Sequence, residues 1–260
     1  MTFLHAIILG IVEGITEFLP VSSTAHITLA SKLLGLMQTD FLKSFTIIIQ
    51  FGAILAVCVI FFKVVWEAKK ELVPRVLAGF IPTAIIGFVL YKFIKGYLLG
   101  NVLISGYTLL LGGIAFLVLE YWYLPKHTKT LDAKYPSIAE STGFGVAQAI
   151  AVIPGVSRSG ALIVYGLLRG YSREVVTTFA FLLAVPTMFA ASAYDLYKSS
   201  HVFTTTEWQL LLVGSVVSFI VAYIVSRWFI SYISKHSFAV FGWYRVVLGI
   251  VVILIFTLAK

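Results

Sequence analysis

Glu13 and Glu17 stand four residues apart in apolar sequence, so on a helix they share one face with Cβ atoms roughly 6 Å apart. Their neighbours Ile11, Val12, Ile15 and Phe18 argue for burial. Two carboxylates that close in low dielectric require a cation or a shared proton between them. With hydroxyls nearby they suit a hard divalent cation, Mg²⁺ or Ca²⁺, and are the candidate metal ligands. Pro20 breaks that helix and leaves Ser22, Ser23 and Thr24 at the start of the next. Hydroxyls there cap free N–H groups, or serve with the same geometry at a helix N-terminus that holds an anion. His26 follows Ser23 by three residues, on the same side of the new helix, as a candidate base or nucleophile.

A matching interruption follows 135 positions later, counting from Ser22 to Ser157. Gln148 precedes Ser157 by nine residues, as Glu13 precedes Ser22. Pro154 and Gly155 break the chain, Ser157 and Ser159 bracket Arg158, and Gly160 opens the following helix. Gly155 lets backbone approach a ligand. The guanidinium fork of Arg158 suits phosphate oxygens better than a lysine would. Hydroxyls, helix N-termini, a guanidinium, a carboxylate pair and an imidazole are together equipment for phosphoryl transfer, where positioning and charge stabilisation do most of the work. Gln50 is a further candidate for substrate contact, ahead of Asp195 and Arg245, which either face the site or bond neighbouring helices.

These residues sit in a chain that is 60% hydrophobic and 12% charged over 260 residues. Its mean hydropathy of +1.01 marks a polytopic membrane protein rather than a soluble domain. The net charge of +8 comes from basic residues in connecting segments, not from one face or tail, which excludes a nucleic-acid partner. Cys58 is the lone cysteine, so there is no disulfide framework and no thiol metal site; a place in the core is expected for it. The N-terminus lacks a basic leader region and carries Glu13 and Glu17 in its apolar run, so insertion of the whole chain is expected. His5, His127, His201 and His236 fall near predicted helix ends or loops.

Six stretches, near 42–62, 74–94, 103–123, 174–197, 208–229 and 238–258, are long enough to cross about 30 Å of hydrocarbon as helices. The two motif regions, about 2–35 and 137–169, are instead pairs of short apolar helices around a break. Irregular backbone at membrane depth survives only when shielded by protein or lining a wet cavity, so both read as re-entrant hairpins. The expected fold is all-α, a single membrane domain with six transmembrane helices and two re-entrant hairpins. Three spans per half is an odd number, which places the halves, about 1–123 and 137–260, in inverted topology. Lys63, Lys69, Lys70, Arg75, Lys126, Lys129, Lys134, Arg169, Arg173, Arg227 and Lys235 fall on one side; Lys32, Lys43, Lys92, Lys95, Lys198 and Lys260 fall on the other. The richer side is cytoplasmic by the positive-inside tendency, which puts both termini and the first hairpin's mouth outside.

Two signatures carry a family resemblance. One is Glu13 and Glu17 followed by Pro20, Ser22, Ser23, Thr24 and His26; the other is Pro154, Gly155, Ser157, Arg158, Ser159 and Gly160. With these the chain resembles, along nearly its whole length, the undecaprenyl-diphosphate phosphatases of the bacitracin-resistance BacA type. Leu162 and Ala25 depart from the family's usual Thr and Gly. The resemblance implies a bacterial plasma-membrane phosphatase with ten helical segments, dependent on Mg²⁺ or Ca²⁺, that converts a polyprenyl diphosphate to the monophosphate. It implies Glu13, Glu17, Ser23, His26, Ser157 and Arg158 as the functional set. Ser23 is the preferred nucleophile, with His26 as its base or itself the nucleophile and a metal-activated water as a third route. The rival reading is a transporter of a small anion or of the lipid carrier, since broken helices in inverted repeats also build transport sites. Oligomeric state stays open, a homodimer among the options.

Overall fold

The computed structural model describes residues 1–127, 130–198 and 203–258, and among these there is helix but no strand. Lys129, His201 and Lys260 lie outside the described residues. Helices α1 (Phe3–Thr16) and α2 (Ser23–Leu33) flank the first break. Helices α3 (Asp40–Ile48) and α4 (Gln50–Glu67) join almost continuously at Ile49, and α5 (Lys69–Phe93) and α6 (Val102–Val118) follow. Helices α7 (Ile138–Ile150) and α8 (Arg158–Leu168) flank the second break. Helices α9 (Arg173–Lys198), α10 (Thr205–Ile233) and α11 (Ala239–Leu258) complete the fold.

Six segments are long and apolar enough to cross a membrane: Asp40–Glu67, Lys69–Leu98, Val102–Lys126, Arg173–Lys198, Thr205–Ile233 and Ala239–Leu258. Each covers one of the stretches expected from hydropathy. The helices beside the breaks contain 14, 11, 13 and 11 residues. At 1.5 Å per residue none exceeds about 21 Å, too short to span alone. Large apolar side chains such as Phe62, Leu111, Leu212, Ile224 and Trp228 are exposed, as a hydrocarbon solvent permits. Cys58 joins them. It is exposed on α4 rather than placed in the core, because a small apolar thiol is as well solvated by lipid tails as by protein.

Small residues let the short helices dock closely. A Cβ on Gly14 of α1 would lie 2.8 Å from the Ser218 carbonyl of α10, and one on Gly145 of α7 would collide with the Gly79 carbonyl of α5. Such contacts are the usual means of bringing helix backbones together without a hydrophobic driving force. Thus α1 rests against α10 and α7 against α5, and the first helix of each broken pair is held along its length. The main core joins Phe61, Phe144, Phe179, Phe181, Phe229 and Phe238, and a smaller one joins Leu9, Ile27, Phe41, Phe45 and Leu210.

At the polar ends, Thr2 and His5 form a reciprocal cap on α1. Tyr123 and Tyr232 stack on His127 and His236. At the start of α7, Glu140 accepts from Arg169, Nη2 to Oε1 being 2.5 Å. The guanidinium holds this carboxyl below the usual carboxylate range.

Candidate active site

Each break is built the same way. After Pro20 and after Gly155 the chain reverses through a serine with positive φ, Ser22 at +70° and Ser157 at +72°. Each serine then caps the following helix: Ser22 Oγ accepts from the Ala25 amide at 3.5 Å, and Ser157 Oγ from the Gly160 amide at 3.1 Å. One cap satisfies one donor. The first-turn amides of Ser23 and Thr24, and of Arg158 and Ser159, have no acceptor within their helices. Helix α8 therefore opens at Arg158, two residues before Gly160. Gly155 has φ +92° and packs so tightly on α6 that a Cβ would meet Thr108 Oγ1 and lie 2.7 Å from the Ser105 carbonyl.

The two breaks touch. Arg158 Nη2 lies 2.5 Å from Glu17 Oε1, with Glu17 buried and Arg158 half-buried. The other oxygen of Glu17 accepts the Ser23 hydroxyl in a short hydrogen bond. Ser159 Oγ donates to the Leu19 carbonyl at 3.1 Å and lies 3.1 Å from Ser157 Oγ, a second stitch between the motifs. Glu13, one turn before Glu17, is completely buried, and neither of its oxygens has a hydrogen-bond partner among the described residues.

A cavity of about 670 Å³ opens beside this junction. Glu17, Ser22, Ser23, Thr24, Gly155, Ser157, Arg158 and Gln50 line it, while Phe80, Ile85 and Phe88 of α5 make an apolar wall. Glu13, Ser159 and His26 do not border it. His26 stands apart from the Ser23–Glu17 pair: its Nδ1 donates to the Ser22 carbonyl at 2.8 Å. That fixes the tautomer, leaving Nε2 to accept from the Tyr244 hydroxyl at 2.6 Å over a stacked ring pair. The side chain in contact with the Ser23 hydroxyl is the Glu17 carboxylate, not the imidazole that lies nearer in sequence.

Three residues hold the site together more extensively than their types alone indicate. Arg245 is fully buried on α11 and spends its guanidinium on backbone carbonyls. It donates to Pro20 at 3.0 Å, Gly155 at 2.9 Å, Val156 at 3.0 Å and Thr108 at 3.3 Å. It thus ties both breaks to α6, and the signal for it was a lone arginine inside an apolar span. Gln148 Nε2 donates to Thr83 and Thr187 hydroxyls at 3.0 Å each, joining α7 to α5 and α9; its register with Glu13 was the available hint. Tyr244 carried no signal beyond its place next to Arg245. Asp195 bonds neighbouring helices rather than the breaks, through Lys95 and Tyr91.

Residues 6–251 match the family described as Bacitracin resistance protein BacA. The undecaprenyl-diphosphatase of Aquifex aeolicus is 49% identical over 251 residues, covering 96% of this chain and 97% of that protein. The undecaprenyl-diphosphatase of Campylobacter fetus is 49% identical over 255 residues, with coverage of 96% and 97%. That of Wolinella succinogenes is 47% identical over 251 residues, again covering 96% and 97%.

Proposed function

The chain belongs to the bacitracin-resistance BacA family, and on that footing we propose that it hydrolyses undecaprenyl diphosphate to the monophosphate and inorganic phosphate. It is a multi-pass membrane phosphatase of the bacterial cell envelope. The observation that carries this reading is the Glu17–Arg158 contact between two hydroxyl-rich helix starts at one end of an apolar cavity. A lipid tail fits the apolar wall and a diphosphate fits the polar end. Phosphate release by detergent-purified protein, assayed with and without chelator and with no membrane gradient, tests it; a transporter of an anion or of the lipid carrier releases none.

Each broken pair, α1–α2 and α7–α8, acts as a re-entrant hairpin, and the two halves are inverted repeats. In support, α1 docks on the middle helix of the last three spans, α10, just as α7 docks on α5, the middle helix of the first three. The paired serines of positive φ sit at the same motif position. The surplus of basic residues on one side supports a plasma-membrane orientation with both termini outside and the site open to the outer face. A homodimer is the assembly to look for by cross-linking in membranes.

In the mechanism, Ser23 Oγ attacks the terminal phosphorus while Glu17 takes the hydroxyl proton. The bond to the bridging oxygen breaks and the lipid monophosphate leaves. Water then attacks the phosphoserine, releasing inorganic phosphate and returning the proton to Ser23. Arg158 and the free amides of both helix starts hold the equatorial oxygens, where charge gathers in the transition state. Ser22, Thr24, Ser157, Ser159 and Gln50 position the diphosphate or the turns that bind it. His26 fixes the Ser22 turn through its carbonyl.

The residues present fit a divalent cation. Glu13 offers two oxygens without a hydrogen-bond partner among the described residues, and it would hold a Mg²⁺ or Ca²⁺ together with Glu17, the one of the two that borders the cavity. Among the described residues no larger cluster of His, Cys, Asp and Glu is available to hold a metal. Bound there, the ion would supply charge neutralisation for the phosphates.

A further inference from the structure

The cavity has a second cation in its wall. Helix α5 continues through a π-helical turn, Ile94–Leu98, that carries Lys95. Lys95 Nζ lies 2.5 Å from Asp195 Oδ1 and 3.1 Å from Ser44 Oγ, and its side chain is 18% exposed. The Tyr91 hydroxyl donates to the same Asp195 oxygen at 2.7 Å. Asp195 is fully buried, and its Oδ2 has no partner among the described residues. Lys95 and Tyr91 both line the cavity that also holds Arg158. Thr83, which bonds Gln148 near the second break, is twelve residues earlier on α5, so the cavity runs about 18 Å along this helix.

A mere strut between α5 and α9 would not be built this way. Replacing a buried ion pair with apolar residues is commonly neutral or stabilising, and this pair leaves one carboxylate oxygen unsatisfied. An ammonium has three donors, of which Asp195 and Ser44 take two. The third has no hydrogen-bond acceptor among the described residues, with the Tyr91 ring 5.9 Å from the ammonium, and Lys95 borders the cavity. Lysine is a compact point charge without the fixed fork of arginine, suited to an oxyanion that must pass on rather than stay.

We propose that Lys95 is a second phosphate-binding subsite, a relay between the far end of the cavity and Arg158. Its ligand is a phosphate oxyanion: the terminal phosphate of the incoming lipid, or inorganic phosphate on its way out. That origin rests on the phosphatase reading above. Asp195 sets the strength of the subsite by offsetting part of the lysine charge, and Tyr91 keeps the carboxylate in place.

The test is equilibrium dialysis of radiolabelled inorganic phosphate against the full-length protein in detergent. Lys95→Met should weaken binding about tenfold, the worth of one charge-assisted hydrogen bond. Asp195→Asn should tighten it, and Lys92→Met, on the exposed face of the same helix, should leave it unchanged. In turnover assays a raised KM for Lys95→Met assigns the subsite to the incoming lipid, and weaker inhibition by phosphate assigns it to the product. Phosphate binding by Lys95→Met equal to that of the parent protein overturns the proposal. So does weakening by both Lys95→Met and Asp195→Asn together with a shared loss of thermal stability, the pattern of a simple strut. Absence of phosphate release by the parent protein, with phosphate binding intact, would sink the phosphatase reading and leave the subsite standing.

Discussion

Ser22 and Ser157 share one unusual backbone conformation, with φ of +70° and +72°, and are the only non-glycine residues of positive φ among those described. Each turns the chain between a proline-containing break and a helix whose first residues line the cavity. A side chain held there costs on the order of 1–3 kcal/mol. The fold bears that strain twice, at equivalent points of its two motifs.

Ser157→Gly and Ser157→Ala should therefore differ. Both lose the cap to the Gly160 amide, worth about 1 kcal/mol, but only glycine relieves the strain. Thermal unfolding in detergent should rank Ser157→Gly above Ser157→Ala by about 1 kcal/mol. The reverse order would mean the turn is not strained.

Ser23 and His26 should separate in rate. Ser23 bonds Glu17 in the cavity wall, whereas His26 bonds the Ser22 carbonyl and Tyr244 outside it. Ser23→Ala should lower kcat by about a thousandfold, as loss of a nucleophile with its base does. His26→Gln should cost at least tenfold less, on the order of a positioning defect. Equal losses in steady-state phosphate release would return the imidazole to the chemistry.

Arg245 is a test of assembly. Arg245→Met leaves the carbonyls of Pro20, Gly155 and Val156 without their donor in a buried place. About 3 kcal/mol of stability should go, with Arg245→Lys recovering part of it through one or two of the same carbonyls. Unfolding curves and turnover should fall in the same order. A fully active, fully stable Arg245→Met would show that the breaks hold one another without it.

Glu140 supplies a pH dependence. Its carboxyl is held below the usual carboxylate range by Arg169, so the pair stabilises the fold above that range. The contribution disappears as pH falls through the lowered folded value. Unfolding of the parent protein and of Arg169→Met should differ near neutral pH and converge in acid. A difference that grows toward acid would contradict the pairing.

Much of this was legible in the sequence, and the remainder failed for identifiable reasons. The six spans followed from apolar length alone, and the breaks from Pro20, Pro154 and the hydroxyls after them. The division of chemistry between the breaks, carboxylates in one and a guanidinium in the other, was legible from residue types as well. Hydropathy does not say which face of a span meets lipid, so the outward turn of Cys58 on α4 was hidden. Backbone carbonyls have no residue type, so the targets of Arg245 could not be read. His26 was matched to Ser23 by helical spacing, but its ring found a partner 218 positions away, the hydroxyl of Tyr244. Lys95 reads in the sequence only as one more basic residue near a loop, and Asp195 as a residue that faces the site or bonds a neighbouring helix; that the two pair, 100 positions apart, needs α5 and α9 side by side.

The proposed chemistry depends most on the guanidinium at the junction of the breaks. Arg158→Ala, purified in detergent and matched to the parent protein by circular dichroism and elution volume, should release phosphate from undecaprenyl diphosphate about a thousandfold more slowly, the scale on which an arginine stabilises phosphoryl transfer. Arg158→Lys should recover little, since one ammonium cannot reproduce the fork. A folded Arg158→Ala that turns over within about threefold of the parent, less than 1 kcal/mol of barrier, would contradict the assignment of this junction as the active site.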